Sequence, residues 1–438
     1  MIGGASGKRL FGEASWALVG QVGSGLVLLA GTRFVTELVS PGIYGQIALL
    51  TGIVALGVNI FAYPFICAGM RLLPECLERK EGPDLRRAVA QLTFRAIAVA
   101  LVLLALASGA HGWLEGSDPW PFAATGLLLA MTARRELGVQ LLIGERRQRE
   151  ASLWQASDAL LRPAMAIGAV VLGGAKATLV LLGYSLASGS ASAFWSLFRR
   201  GQAGRTARRD PARIRSLRRE IWVYALPLIP MELLVWFNGL GDRYVIGYFL
   251  SAADVGVYAA AYTLINEAFN RSAMVLLRTF QPVYFQRHSA RQEERAHRVL
   301  WLWLGCVVLM GAAGVAALVF LKDWVAAALL AKTYHSAAEL MPIIGAGCAI
   351  QALALVIAQP LLALKRTRAL LMARAFGALT AAISLPLLVK AHGLMGAAMA
   401  APLYFGVEAL ITAVLSRPWR IAKAPTPGEA YLAAESST

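Results

Sequence analysis

Arg134, Arg135 and Glu136 sit in the middle of a run that is otherwise hydrocarbon-soluble: WPFAATGLLLAMTA precedes them and LGVQLLIG follows. One charged side chain at the centre of a bilayer costs about 3 to more than 10 kcal/mol, so such groups line a cavity or pair with one another. Arginine stays charged and offers a planar fork that matches phosphate, so a basic cluster at depth suits an anionic cargo. Arg95, Arg162 and Arg271 fall in apolar stretches as well, and Asp158 stands one helical turn before Arg162. Arg95, Arg134, Arg135, Arg162 and Arg271 are therefore the candidate substrate-binding residues.

Carboxylates at the same depth suit a second task, exchange of a coupling ion. Glu232 and Glu267 lie about 15 Å from the cytoplasmic ends of their helices at 1.5 Å per residue, with Asn266, Asn270 and Arg271 flanking Glu267. With Asp158 and Asp242 they form the ion-coupling candidates. Plainer readings stay open. Arg95 and Arg271 can snorkel to the inner headgroups, Arg162 with Asp158 and Asp242 with Arg243 can be structural pairs, and Glu232 can be a structural hydrogen-bond partner. A helix ending near Ala133 would also place Arg134 and Arg135 beyond the hydrocarbon.

The elements that must carry these residues are membrane helices. The chain of 438 residues is 58% hydrophobic and 15% charged, against about 25% charged in a soluble protein. Its mean hydropathy is +0.59. Apolar runs near the length of about 20 residues that a bilayer requires recur throughout. Twelve spans are expected, near 12–32, 43–63, 88–110, 120–143, 152–173, 177–198, 221–247, 255–277, 299–321, 339–363, 369–389 and 394–415. The first lacks a small-residue cleavage pattern and reads as a retained helix rather than a signal peptide.

The net charge of +17 is a topology signal. With a cytoplasmic N-terminus, 31 of the 42 Lys and Arg residues fall inside and five outside (Arg33, Lys176, Lys322, Lys332 and Lys390), the rest lying within spans. Both termini are thus expected in the cytoplasm, and nucleic acid is not an expected partner. Four cysteines make no CxxC and no metal spacing with the five histidines. No phosphate loop, zinc-protease helix or nucleophile elbow occurs, so neither metal, cofactor nor enzymatic activity is expected.

The stretch RRGQAGRTARRDPARIRSLRRE, with nine arginines, divides the chain near its middle. Residues 1–198 are read as an N-lobe of helices one to six, 199–220 as a basic cytoplasmic linker, 221–416 as a C-lobe of helices seven to twelve, and 417–438 as a cytoplasmic tail. The halves share a pattern. TRFVTELVSPGIYGQIAL and DRYVIGYFLSAADVGVYAAA each join the first two helices of a half, and a Gly follows Ser40 and Ser251 at the same interval, as Gly45 and Gly256. Repeated six-helix halves are a common transporter plan, with the substrate site between them.

At LVSPGIYGQIALL, LIGERRQREASLWQ, GDRYVIGYFLSAADVGVYAAAYTLI and AKTYHSAAELMPIIG the sequence resembles the Wzx-type polysaccharide and O-antigen flippases of the multidrug/oligosaccharidyl-lipid/polysaccharide (MOP) exporter superfamily. The resemblance implies an all-α polytopic membrane protein, with about twelve transmembrane helices in two six-helix lobes around a central cavity that opens alternately to each side. It implies a cargo of oligosaccharide on a polyprenyl-pyrophosphate carrier, moved across a bacterial inner membrane. Membrane lipid and the pathway's polymerase or glycosyltransferases would be its further partners. The lipid II flippase relatives typically have fourteen helices, and the two extra spans are missing here, which argues against a peptidoglycan precursor. Two rivals follow: a multidrug exporter of the same superfamily, whose cationic cargo a basic cavity would repel, and a membrane glycosyl enzyme. The latter usually needs a large outer loop, and the longest here, near 322–338, has no carboxylate pair for acid–base work.

Overall fold

The computed structural model describes residues 23, 25, 27–116, 118–200 and 211–417, and all regular structure among them is helical. In chain order the elements are α1 (27–38), α2 (Pro41–Phe61), α3 (Tyr63–Glu78), α4 (Gly82–Glu115), α5 (Trp120–Gly144), α6 (Gln148–Gly173) and α7 (Ala177–Arg200). Then come α8 (Pro211–Ala225), α9 (Leu228–Phe249), α10 (Ala252–Ser289), α11 (Glu293–Leu329), a 3-10 segment (Lys332–Leu340), α12 (Met341–Ile357), α13 (Gln359–Ala363) and α14 (Thr367–Ser416).

The protein is an all-α, multi-pass membrane protein. Seven described helices are long and apolar enough to cross a membrane outright, and α8 with α9, bent by 49°, makes an eighth. α5 and α10, which hold Arg134 to Glu136 and Glu267 with Arg271, are not among the seven. The 50 residues of α14 would reach about 75 Å, too long for one crossing, and Gly393 breaks them with φ 60° and ψ −137°. The expected spans 369–389 and 394–415 fall on either side of that break. Most of span 12–32, part of the 199–220 linker and nearly all of the 417–438 tail lie outside the described residues. α5 runs unbroken through Arg134 and Arg135 to Gly144, so the reading that ends this helix near Ala133 does not hold.

The chain forms two compact units, Met1–Leu264 with Asp323–Ala338, and Ile265–Lys322 with Glu339–Thr438. In the first, α7 packs on α5 and α6, while α2 packs on α5 and α9. Small residues set the spacing. A Cβ on Gly183 of α7 would lie 2.7 Å from the Ala166 Cα, so α6 and α7 approach backbone to backbone, and Gly138 of α5 leaves room for the Trp154 ring. Ser185, Ser188 and Ser192 recur along α7 at helical spacing, all buried. Pro163, just after Arg162, removes the backbone donor that the Ala159 carbonyl would otherwise receive, and loosens α6 at the charged turn.

The repeated pattern meets itself inside this unit. A Cβ on Gly45 would overlap the Ala252 carbonyl oxygen, and one on Gly256 would overlap that of Pro41. Two side chains of α9 cap carbonyls of α2: Tyr244 Oη donates to Leu49 O (2.8 Å) and Trp236 Nε1 to Gly52 O (2.9 Å). Tyr334 Oη reaches Val39 O at 2.9 Å.

In the second unit α12 packs along α14, and Phe269 fills the space left by Gly314 and Gly345. Trp303 stacks on Phe280 within a core that includes Tyr284, Leu300 and Val356. Exposed Leu302, Leu309 and Phe320 on α11 and Leu379, Ile383 and Leu387 on α14 give each helix an apolar outer face suited to lipid.

Candidate functional site

The charges of α5, α6 and α7 converge on Asp158, whose side chain is 1% exposed. Arg135 Nη1 donates to its Oδ2 at 2.6 Å, and Arg162 Nε lies 3.0 Å from the same oxygen. Ser188 Oγ donates to Oδ1 at 2.7 Å and accepts from Arg162 Nη2 at 3.1 Å. Arg135 Nη2 also reaches Glu136 Oε2 at 3.3 Å, and Gln140 Nε2 donates to Glu136 Oε1 at 2.8 Å. A serine of the small-residue face of α7 thus closes a ring begun on two other helices.

The arrangement sits well inside its helices. Arg135 lies nine residues before the end of α5, about 13 Å, and Arg162 is near the middle of α6. The Arg135 and Arg162 side chains keep 21% and 30% of their surface open, while the carboxylate between them is closed off. The buried Arg135 Nε has no hydrogen-bond partner among the described residues. Two cations held together by one carboxylate, each side chain partly accessible, can receive a further anion.

The other candidates separate from this ring. Arg134, one position along α5, points elsewhere: it is exposed and has no ion-pair or hydrogen-bond partner among the described residues. It continues the face on which Leu127 and Ala130 line a cavity of about 680 Å³ between α4 and α5. That cavity is apolar, with Leu101, Leu104 and Phe122 in its walls. Arg95 is exposed on α4, one and two turns from the exposed Val99 and Val102, as a snorkelling side chain would be.

Glu232 of α9 is half-buried. It and Glu136 both lie within electrostatic reach of the Tyr63 hydroxyl and the Cys67 thiol on α3. Asp242 is buried on α9 and accepts from Tyr258 Oη at 2.7 Å and from the Arg243 backbone N–H at 2.8 Å. The Arg243 guanidinium instead stands over the Tyr262 ring, 5.8 Å from its centre. In the second unit Glu267 and Arg271 pair with each other at 2.6 Å.

Sequence reasoning missed Ser188, Gln140 and the pair of Arg374 with Glu408, 4.0 Å apart on α14. A glutamate in the apolar run GAAMAAPLYFGVEALITAV was a readable signal for the last of these. No group of three or more His, Cys, Asp or Glu among the described residues is arranged to hold a metal ion.

No family model matches the sequence, and no curated protein sequence matches it. Solved structures do match. An inward-facing multidrug resistance MATE family transporter of the MOP superfamily superposes with a TM-score of 0.69 at 13% identity, covering 91% of this chain and 94% of its own. The lipid II flippase MurJ, in an inward closed conformation, gives 0.68 at 11% identity over 92% and 87%. A MOP superfamily transporter from Pyrococcus furiosus, described as having a binding pocket of reverse polarity, gives 0.60 at 13% identity over 94% and 95%. The fold is therefore that of the multi-pass MOP-superfamily transporters.

Proposed function

We propose that the protein is an alternating-access flippase that carries a polyprenyl-pyrophosphate-linked oligosaccharide from the inner to the outer leaflet of a bacterial inner membrane. Its termini and the 199–220 linker would face the cytoplasm, as the 31-to-5 basic split requires. The observation that carries the reading is the convergence of Arg135 and Arg162, both partly open, at mid-depth in α5 and α6. Guanidiniums are the side chains best matched to phosphate, and their presence at this depth needs a reason beyond packing. The apolar α4–α5 cavity, whose lining ends at Ala130, one turn before Arg134, is of a chemistry suited to a lipid tail. Export for O-antigen or exopolysaccharide synthesis is the corresponding role, with the pathway's polymerase and glycosyltransferases as neighbours.

A second reading, export of organic cations, draws on Glu136 and Glu232 near Tyr63 and Cys67 and on the fold shared with a multidrug transporter. The two separate in proteoliposomes. Purified protein should flip a fluorescent polyprenyl-pyrophosphoryl oligosaccharide, and Arg135→Ala or Arg162→Ala should abolish the flipping at matched folded protein. Efflux of a dye cation without glycolipid movement would replace the flippase reading with the second.

A further inference from the structure

Resting on the anion-site reading above, we propose that Asp158 is a resident counter-anion: in the empty protein it holds the two guanidiniums that a cargo phosphate takes when bound. The geometry is asymmetric. Asp158 reaches Arg135 and Arg162 through one oxygen and Ser188 through the other, and is shut away from solvent at 1% exposure. The Arg135 and Arg162 side chains, by contrast, keep 21% and 30% of their surface accessible.

Two arginines side by side repel, and an unneutralised pair in a low-dielectric interior would be costly to carry back across the membrane empty. One buried carboxylate solves both problems. It holds the forks together, and it leaves the empty ring, counted with Glu136, without net charge. An arriving phosphate then meets assembled donors but also the field of Asp158, which keeps binding weak enough for release. Asp158 is thus a positioning residue that sets affinity and the empty return step, rather than a group that touches cargo.

The test uses full-length protein in detergent, with inorganic pyrophosphate as probe and thermal protection as the binding readout. Removing a charge about 6 Å from the bound anion, at an effective dielectric near 20, should tighten pyrophosphate binding about tenfold to a hundredfold in Asp158→Asn. Glycolipid flipping by the same variant should slow, so affinity and turnover move in opposite directions. A packing role alone would not raise affinity. If Asp158→Asn does not fold, Arg162→Gln is compared with the charge-balanced double variant Asp158→Asn, Arg162→Gln, and the double variant should bind more tightly. Equal pyrophosphate affinity with and without Asp158 overturns the counter-anion while leaving the anion site standing. Absence of binding in wild type and variants alike overturns both.

Discussion

At the scale of single residues, neighbours in sequence do different work. Arg134 and Arg135 are adjacent, yet about 100° of helical turn separates an open cation from one bonded to a buried carboxylate. Arg135→Ala should lower stability by about 1.5–3 kcal/mol, the usual worth of a hydrogen bond to a charged group, whereas Arg134→Ala should leave it unchanged. Thermal unfolding in one detergent checks the pair, and equal losses would contradict the observed division. Tyr258→Phe is a comparable probe. It strips the buried Asp242 carboxylate of its hydroxyl donor, leaving the Arg243 backbone N–H, and should cost about 1.5–3 kcal/mol in the same measurement.

At the scale of helices, spacing governs the site. Ser188 reaches Asp158 and Arg162 because α7 lies close against α6, where Gly183 meets the Ala166 backbone. Gly183→Val would drive a side chain into the Ala166 backbone, separate Ser188 from Asp158 and cost about 1–3 kcal/mol of overpacking. The expected outcome is a lowered unfolding temperature together with a changed pyrophosphate affinity, although residue 183 bears no charge. The elements were largely legible in the sequence, because apolar length and positive-inside bias are properties of the chain itself. Their partners were less so. The Asp158–Arg162 pair followed from a spacing of four within one helix, but Arg135 and Ser188 join it from other helices, and no local pattern shows which face turns inward. For the same reason Arg95 and Arg134, expected at the depth of Arg135 and Arg162, stand outside the ring.

At the scale of the whole molecule, charge bias predicts sidedness. Reporter fusions at Ser117 and Arg205 should report opposite faces of the membrane, the second cytoplasmic; agreement between them would break the twelve-span topology. The meeting of Gly45 with Gly256 carries a different consequence. Each glycine yields to the first-turn carbonyl of the other motif, the reciprocity that a twofold axis imposes on a homodimer. A side chain at either glycine strikes the opposite backbone, so the crossing has two independent locks, and a substitution at Gly45 or at Gly256 alone is enough to force its helices apart.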